Sequence, residues 1–205
     1  MPTEPLLYLA SNSPRRQELL RQLGVSFDLL RLREAAGRER DVIEGALGGE
    51  PPLHYVERIA RTKALIGWQR MESRGLPPRP VLAADTEVVL DGVIFGKPAD
   101  AADAARMLRH LSGRTHQVLT AVAVKWREEL AVEISTSAVT FAELDDARIE
   151  RYVATGEPFD KAGAYAIQGQ AGAFVTRLDG SYSGVVGLPL AETVGILARL
   201  DPTML

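Results

Sequence analysis

The pattern of hydrophobic and polar positions changes period along this chain, from the two-residue alternation of strands to the three-to-four-residue spacing of helices. Its clearest stretch is residues 6–24, LLYLASNSPRRQELLRQLG, where a short apolar run and a polar turn precede leucines at helical spacing. Pro14 has the fixed φ that suits a first helical position, which leaves Ser13 as the N-cap, and Gly24 provides a C-terminal stop. This stretch predicts a strand, a loop and a helix.

The remaining pattern predicts strands and helices that alternate without repeats. Helices are predicted over residues 55–68, between 100 and 113, over 145–154 and from 188 onwards. Strands are predicted over residues 26–32, 81–84 with 88–90, 93–95, 118–124, 130–136 and 139–141, and the Asp91-Gly92 dipeptide indicates a hairpin. Residues 34–52 predict a long loop or lid, and the glycine-dense residues 162–189 suit bent strands or a close approach to a ligand. The alternation predicts an α/β fold with a mixed sheet.

Composition and charge mainly exclude certain partners and kinds of site. The chain has 205 residues, 46% hydrophobic and 25% charged, which suits one domain over residues 1–205. A net charge of −3 gives no general basic field, so duplex nucleic acid is not an expected partner. The absence of cysteine excludes disulfides, zinc–thiolate sites and thiol nucleophiles. The N-terminus has no secretory pattern and no apolar run reaches the ~20 residues of a membrane helix, so a cytoplasmic protein without a membrane partner is expected.

Two arginines break a local rule at the start of the first predicted helix. Arg15 and Arg16 lie in its first turn, where the helix dipole favours acidic residues and disfavours cations. An anion bound between the exposed N–H groups of the turn and two guanidinium groups would resolve the conflict, so we predict a phosphate site. The alternative is a pair of solvated arginines, since arginine is also a good helix former.

Two carboxylates offer a second candidate for chemistry. Asp85 ends an apolar run at the predicted sheet edge, and Glu87 follows two residues later, so both face the same way if the strand is regular. Such a pair suits a divalent cation or an activated water. The alternative is that Asp85 caps a turn and Glu87 is solvated. Lys97 before a proline is a candidate fixed charge, and Gln168 a candidate for reading a base edge, although each is ordinary by itself.

Four stretches in this order resemble the Maf family of nucleoside triphosphate pyrophosphatases. They are LYLASNSPRRQELLRQLGV, LAADTEVVLDG, GKP with AARMLRHLSGRTHQVLTAVAV, and YVATGEPFDKAGAYAIQG with GSYSGVVGLPLAET. The resemblance implies a two-lobed α/β fold around an elongated mixed sheet, related to the inosine triphosphate pyrophosphatases. It also implies hydrolysis of a nucleoside triphosphate to the monophosphate and pyrophosphate with a divalent metal, Mg or Mn, and a possible homodimer.

The resemblance further assigns roles to residues of this chain. The substrate-binding residues that it implies are Ser11, Ser13, Arg15, Arg16, Thr86 and Gln168. The implied catalytic residues are Asp85 as proton acceptor, Lys63 and Lys97, and the metal ligands are Asp85 and Glu87. The form AGAYAIQG is similar to the branch that acts on dTTP and UTP, for which Arg15, Thr86 and Gln168 fall on specificity positions.

One departure from the family concerns acidic residues. Members usually carry an Asp-Glu pair where this chain has Ala35 and Ala36, and Glu34, Asp41 or Glu44 are the candidates to replace it. Two other functions stay open at this point. One is a nucleotide- or nucleic-acid-binding regulator of cell division, which would bind without releasing pyrophosphate. The other is a pyrophosphatase for modified purine nucleotides such as 7-methyl-GTP.

Overall fold

The computed structural model of the chain describes residues 5–32, 45 and 47–200, and these residues form seven strands, six α-helices and two short 3₁₀ helices, Ala162–Ala164 and Gln170–Phe174. The strands are β1 (Leu7–Leu9), β2 (Phe27–Leu29), β3 (Val81–Leu90), β4 (Val93–Phe95), β5 (Thr115–Trp126), β6 (Glu129–Phe141) and β7 (Val175–Asp179). The helices are α1 (Pro14–Gln22), α2 (Pro52–Ser73), α3 (Ala101–Leu111), α4 (Asp146–Ala154), α5 (Tyr182–Val186) and α6 (Leu190–Leu200).

The strands belong to one mixed sheet. Its order among the described residues is β2-β1-β3-β5-β6-β7, with β4 paired to β3. Strand β1 is parallel to both β2 and β3, whereas β4 is antiparallel to β3 and β7 is antiparallel to β6. The predicted α/β class with a mixed sheet is therefore confirmed. None of the helices among the described residues is long and apolar enough to cross a membrane.

The chain divides into two compact units. Unit 1 comprises Met1–Asp85, Thr120–Ile134 and Gly187–Leu205, and unit 2 comprises Thr86–Leu119 and Ser135–Val186. In unit 1, the buried residues come from α1, α2, β1 and the first half of β3, residues 81–85. In unit 2, helices α3 and α4 pack together around a core that includes Leu108, Phe141 and Ile149. That residues 1–205 act as a single domain stays a prediction.

Several elements begin and end where local chemistry predicts. The hairpin between β3 and β4 turns at Asp91 and Gly92, both of which have positive φ. Helices α3 and α4 start at aspartate N-caps, Asp100 and Asp145, whose side chains accept hydrogen bonds from backbone N–H groups in the first turn. These boundaries are set by a few residues in sequence, and for that reason the pattern finds them.

Other predicted bounds differ from the structure. Helix α2 covers Pro52–Ser73, longer than the predicted 55–68, while β2 covers only Phe27–Leu29. In the glycine-dense residues 162–189 the expectation of strands is mostly wrong, because β7 is the only strand described there and most of the rest is helix or turn. The predicted loop over 34–52 lies outside the described residues except for 45 and 47–52.

Candidate active site

The turn between β1 and α1 has the geometry of a capped helix start. Ser13 is in extended conformation, and its hydroxyl accepts a hydrogen bond from the backbone N–H of Arg16 at 3.4 Å. The Ser11 hydroxyl accepts in turn from the N–H of Ser13 at 3.1 Å. No acidic residue occupies the first turn of α1, unlike α3 and α4. The two serines therefore shape a helix start whose electrostatic preference for an anion is not met by acidic side chains in that turn.

Arg15 and Arg16 are both half-buried at this helix start. The Arg16 Nε donates to the backbone oxygen of Gly187 at 2.8 Å, and its Nη1 donates to the Ser11 hydroxyl at 3.5 Å. Arg16 is thus held against the protein rather than extended into water. One edge of its guanidinium group has a structural partner, so a substitution of Arg16 would change both the local backbone and any phosphate contact.

Close packing of α2 on the sheet of unit 1 brings a lysine to Asp85. A Cβ added to Gly67 would lie 2.7 Å from Val81 Cγ1 and 3.2 Å from Ala10 Cβ, so glycine permits this approach. Lys63 lies four residues earlier, one helical turn away, on the side of α2 that faces β3. The sequence signal for this arrangement is a glycine inside a helical pattern, which the periodicity alone does not explain.

Lys63 and Asp85 form a buried ion pair. The Lys63 Nζ donates to Asp85 Oδ1 at 2.8 Å, and the two side chains are only 15% and 9% exposed. The other carboxylate oxygen, Oδ2, is also buried and has no hydrogen-bond partner among the described residues. A buried carboxylate oxygen without a partner is costly in a folded protein, so this one indicates a position reserved for another group.

Asp85 lies inside β3 rather than at its end, which corrects the sequence-based expectation. The strand continues to Leu90 because the Asp91-Gly92 hairpin returns it to the sheet as β4. The register nevertheless places Asp85 beside the β1–α1 turn. Leu9 pairs with Leu82 in parallel register, and the serine turn and Asp85 each follow that pair within four residues. The two features therefore lie on the same side of the paired segment of two adjacent parallel strands, although β1 ends there and β3 continues past Asp85.

The other predicted site residues belong to unit 2. Thr86 and Glu87 are half-buried on β3, Lys97 is exposed after β4, and Gln168 is exposed in a turn. Their three segments are joined by contacts at Gly163. Its N–H donates to the Gly96 oxygen at 3.1 Å, next to Lys97, and a Cβ at this position would lie 2.8 Å from a Val88 methyl, next to Glu87.

One side chain of this site suits the divalent metal that the family resemblance implies. Asp85 Oδ2 is a hard oxygen of the kind that Mg²⁺ or Mn²⁺ prefers, so this residue fits as one ligand. The described residues contain no group of three or more His, Cys, Asp or Glu placed to hold an ion. The acidic candidates Glu34, Asp41 and Glu44, like Ala35 and Ala36, lie outside the described residues. Further ligands would have to include substrate phosphates and water, as is common for Mg²⁺.

A family model described as Maf-like protein matches residues 6–200, so this chain belongs to the Maf family. Two curated relatives show how similar its members are. The dTTP/UTP pyrophosphatase of Ralstonia nicotianae is 55% identical over 202 residues, which cover 98% of this chain and 96% of that protein. The dTTP/UTP pyrophosphatase of Dechloromonas aromatica is 54% identical over 194 residues, which cover 95% and 96%.

A solved structure is also similar over most of its length. The Ham1 protein of Staphylococcus aureus aligns over 96% of this chain and 98% of its own, with 14% sequence identity and a TM-score of 0.42. The family assignment rests on the family model and the curated relatives.

Proposed function

We propose that this chain hydrolyses dTTP and UTP to the nucleoside monophosphate and pyrophosphate. Its membership of the Maf family and the names of relatives at 54% to 55% identity support the activity. The observation that carries the chemistry is the buried Oδ2 of Asp85, which has no hydrogen-bond partner in the described part of the chain, while Lys63 holds the carboxylate through its other oxygen. A carboxylate fixed in this way is suited to accept a proton from a water molecule.

In the proposed reaction, the water oxygen forms a bond to the α-phosphorus and its proton passes to Asp85 Oδ2. The bond between the α-phosphorus and the bridging oxygen breaks, and pyrophosphate leaves with the electron pair. Arg15, Arg16 and Lys97 neutralise the phosphate charge, which spreads over more oxygens in the transition state. Ser11 and Ser13 present their hydroxyl groups to the same phosphates, and the hydrogen bond from the Ser13 N–H to the Ser11 hydroxyl holds the two together.

A divalent cation, Mg²⁺ or Mn²⁺, fits this proposal as a cofactor. Asp85 and Glu87, two residues apart on β3, are the residues that would hold it, together with phosphate oxygens. A carboxylate has about four lone-pair sites, so contact with a cation leaves Asp85 sites for the water. When bound, the cation supplies positive charge to the departing pyrophosphate.

In this proposal, Gln168 determines which base is preferred, together with Thr86 and Arg15. A glutamine amide offers one acceptor and two donors, enough to pair with the N3–H and a carbonyl of uracil or thymine. Cytosine presents an acceptor at N3 and an amine at C4, so one partner would stay unpaired. That mismatch costs about 1 to 3 kcal/mol, or roughly one to two decades in kcat/KM.

The experiment is pyrophosphate release from a panel of triphosphates with Mg²⁺ and with Mn²⁺. We expect dTTP and UTP to be preferred over CTP, ATP and 7-methyl-GTP, and no turnover when the cation is chelated. A preference for 7-methyl-GTP would overturn the substrate assignment. Nucleotide binding without pyrophosphate release would overturn the enzyme assignment and favour a binding regulator.

The phosphate site is tested by Arg15→Ala beside a matched variant on the same helix. Loss of a charge-assisted phosphate contact should destabilise the transition state by about 1.5 to 3 kcal/mol, which lowers kcat/KM roughly tenfold to more than a hundredfold. Arg21 lies at the opposite end of α1 and is exposed, and the described contacts of its side chain are with Glu18, Gln17 and the ring of Phe27, so Arg21→Ala should leave kcat/KM unchanged. If the two variants had the same kcat/KM, Arg15 would not be a phosphate contact.

A further inference from the structure

Glu157, three residues after α4, accepts hydrogen bonds on both of its carboxylate oxygens. The Tyr152 hydroxyl donates to Oε1 at 2.9 Å, and the backbone N–H of Gln170 donates to Oε2 at 3.1 Å. The N–H of Ala171 also reaches Oε1, at 3.4 Å. A carboxylate with three donors around it is a fixed part of the fold rather than a solvated side chain.

These contacts enclose the turn that carries Gln168. The turn is closed by a hydrogen bond from the Gly169 N–H to the Ala166 oxygen at 3.0 Å. At its start, the N–H of Ala166 donates to the Tyr152 hydroxyl at 3.3 Å. At its end, the donors are the two backbone groups that reach Glu157. Tyr152 and Glu157, bonded to each other, therefore hold both ends of the turn, and we call them the Tyr152–Glu157 clamp.

The clamp lies directly against the turn. A Cβ added to Gly169 would lie 2.3 Å from Oε1 of Glu157, so a larger residue there would displace the carboxylate from its hydrogen bonds. Ala166 is buried and Ile167 packs partly on the core of unit 2, whereas Gln168 and Gly169 are exposed. Side-chain packing therefore anchors only the first half of the turn, and the second half, which carries the Gln168 amide, depends on the backbone hydrogen bonds to Glu157.

Tyr152 is suited to remain a donor at neutral pH. It is 3% exposed and packs edge-to-face on Phe174 at 5.0 Å between ring centroids. Burial raises the pKa of Tyr152 well above its ordinary value, and the contact with Glu157 raises it further. The phenol therefore keeps its proton and its hydrogen bond to the carboxylate throughout the physiological range.

We propose that Glu157, together with Tyr152, is a positioning residue for Gln168 and thereby sets how strongly uracil and thymine are preferred over cytosine. This inference rests on the proposed function, in which Gln168 reads the base. Glu157 does not touch the nucleotide in this proposal. It acts by holding the backbone from which the glutamine amide extends.

The first test is Glu157→Gln. Each group that contacts the Glu157 carboxylate in the description above donates a hydrogen bond to it. A glutamine amide would present its own NH₂ donor to at least one of these groups, so the turn must shift. We expect the ratio of kcat/KM for dTTP to that for CTP to fall about tenfold, with the CTP value changed less. Asp145→Asn is the matched control, because Asp145 caps the start of α4 through the Arg148 N–H and has no contact with the turn among those described. Its ratio should equal that of the wild type.

The second test separates positioning from general damage. In a Gln168→Ala background, Glu157→Gln should change the dTTP to CTP ratio no further, since the amide that it positions is gone. Tyr152→Phe, which removes one hydroxyl, should shift the ratio in the same direction as Glu157→Gln. If Glu157→Gln does not fold, Tyr152→Phe is measured in its place. An equal loss for every nucleotide, or a ratio that still shifts without Gln168, would overturn the inference. A wild type with no preference for dTTP or UTP would instead overturn the proposed function.

Discussion

A buried pair of titratable side chains lies in each unit, and the two pairs differ in chemistry. In unit 2, His116 Nε2 lies 2.8 Å from the Tyr165 hydroxyl, and both rings pack edge-to-face on Phe141. Burial lowers the pKa of His116 to about 4, so this pair is neutral. In unit 1, Lys63 and Asp85 form a charged pair. Each pair leaves one buried atom without a hydrogen-bond partner among the described residues, His116 Nδ1 and Asp85 Oδ2, so the two pairs differ in charge.

The difference separates a structural pair from a functional one. A neutral pair packed among aromatic rings adds hydrophobic burial and one hydrogen bond to stability. A buried ion pair loses several kcal/mol of hydration per ion, and well-packed apolar residues of the same volume are often as stable or more stable. The Lys63–Asp85 pair is therefore a poor choice for stability alone. Local rules are broken in this way mostly where function requires it.

The largest effect that the comparison predicts is on activity. In Asp85→Asn the amide keeps the oxygen that Lys63 contacts but is no longer a base, so kcat should fall by about 10² to 10⁴. Nucleotide binding and the fold should remain. Asp28→Asn is the control in the same unit, because Asp28 only forms an exposed pair with Arg79 among the described contacts. Steady-state kinetics with dTTP measures both, and near-normal turnover in Asp85→Asn would contradict the assignment.

The second effect is on stability. Lys63→Met leaves the Asp85 carboxylate buried without its partner, which should lower the free energy of unfolding by about 3 to 5 kcal/mol at neutral pH. The double variant with Asp85→Asn removes both charges and should recover most of that loss. Urea unfolding of the two variants gives the comparison. A double variant as unstable as Lys63→Met would mean that the ion pair is needed for folding rather than kept for chemistry.

Features set by neighbouring residues could be predicted from the sequence. Pro14 after Ser13 starts α1, Gly24 follows its end with positive φ, and Asp91-Gly92 turns the hairpin. In each case one residue's conformational limits or one capping side chain is sufficient. The position of Ser13, Arg15 and Arg16 at the start of α1 was predicted for the same reason, and their contact with phosphate stays a prediction.

Features set by long-range contacts could not be predicted in this way. The Lys63–Asp85 pair depends on how closely α2 approaches β3, which Gly67 permits but which no periodicity encodes. The turn that carries Gln168 was expected within a strand-rich stretch, because glycine suits bent strands. Its conformation is instead held by Tyr152 and Glu157, whose spacing in sequence from the turn gives no periodic signal.

The smallest predicted effect is a pH dependence of stability that belongs to the neutral pair. Above pH 6.5 the imidazole of His116 is neutral in both folded and unfolded chains; as the pH falls from 6.5 towards 4, the unfolded chain takes up a proton and the folded chain does not. The stability that this group contributes is therefore present above pH 6.5 and is lost across that window, by up to ~1.4 kcal/mol per pH unit. His116→Phe retains the ring packing against Phe141 and removes the titratable group, so the plot of unfolding free energy against pH should be flatter by that amount. Loss of the hydrogen bond to the Tyr165 hydroxyl shifts the whole plot but does not change its slope. Urea unfolding at a series of pH values measures both proteins, and contributions of carboxylates common to the two cancel in the difference. Parallel curves would show that His116 takes up its proton over the same pH range in the folded and unfolded chains, and burial would then not be what keeps this pair neutral.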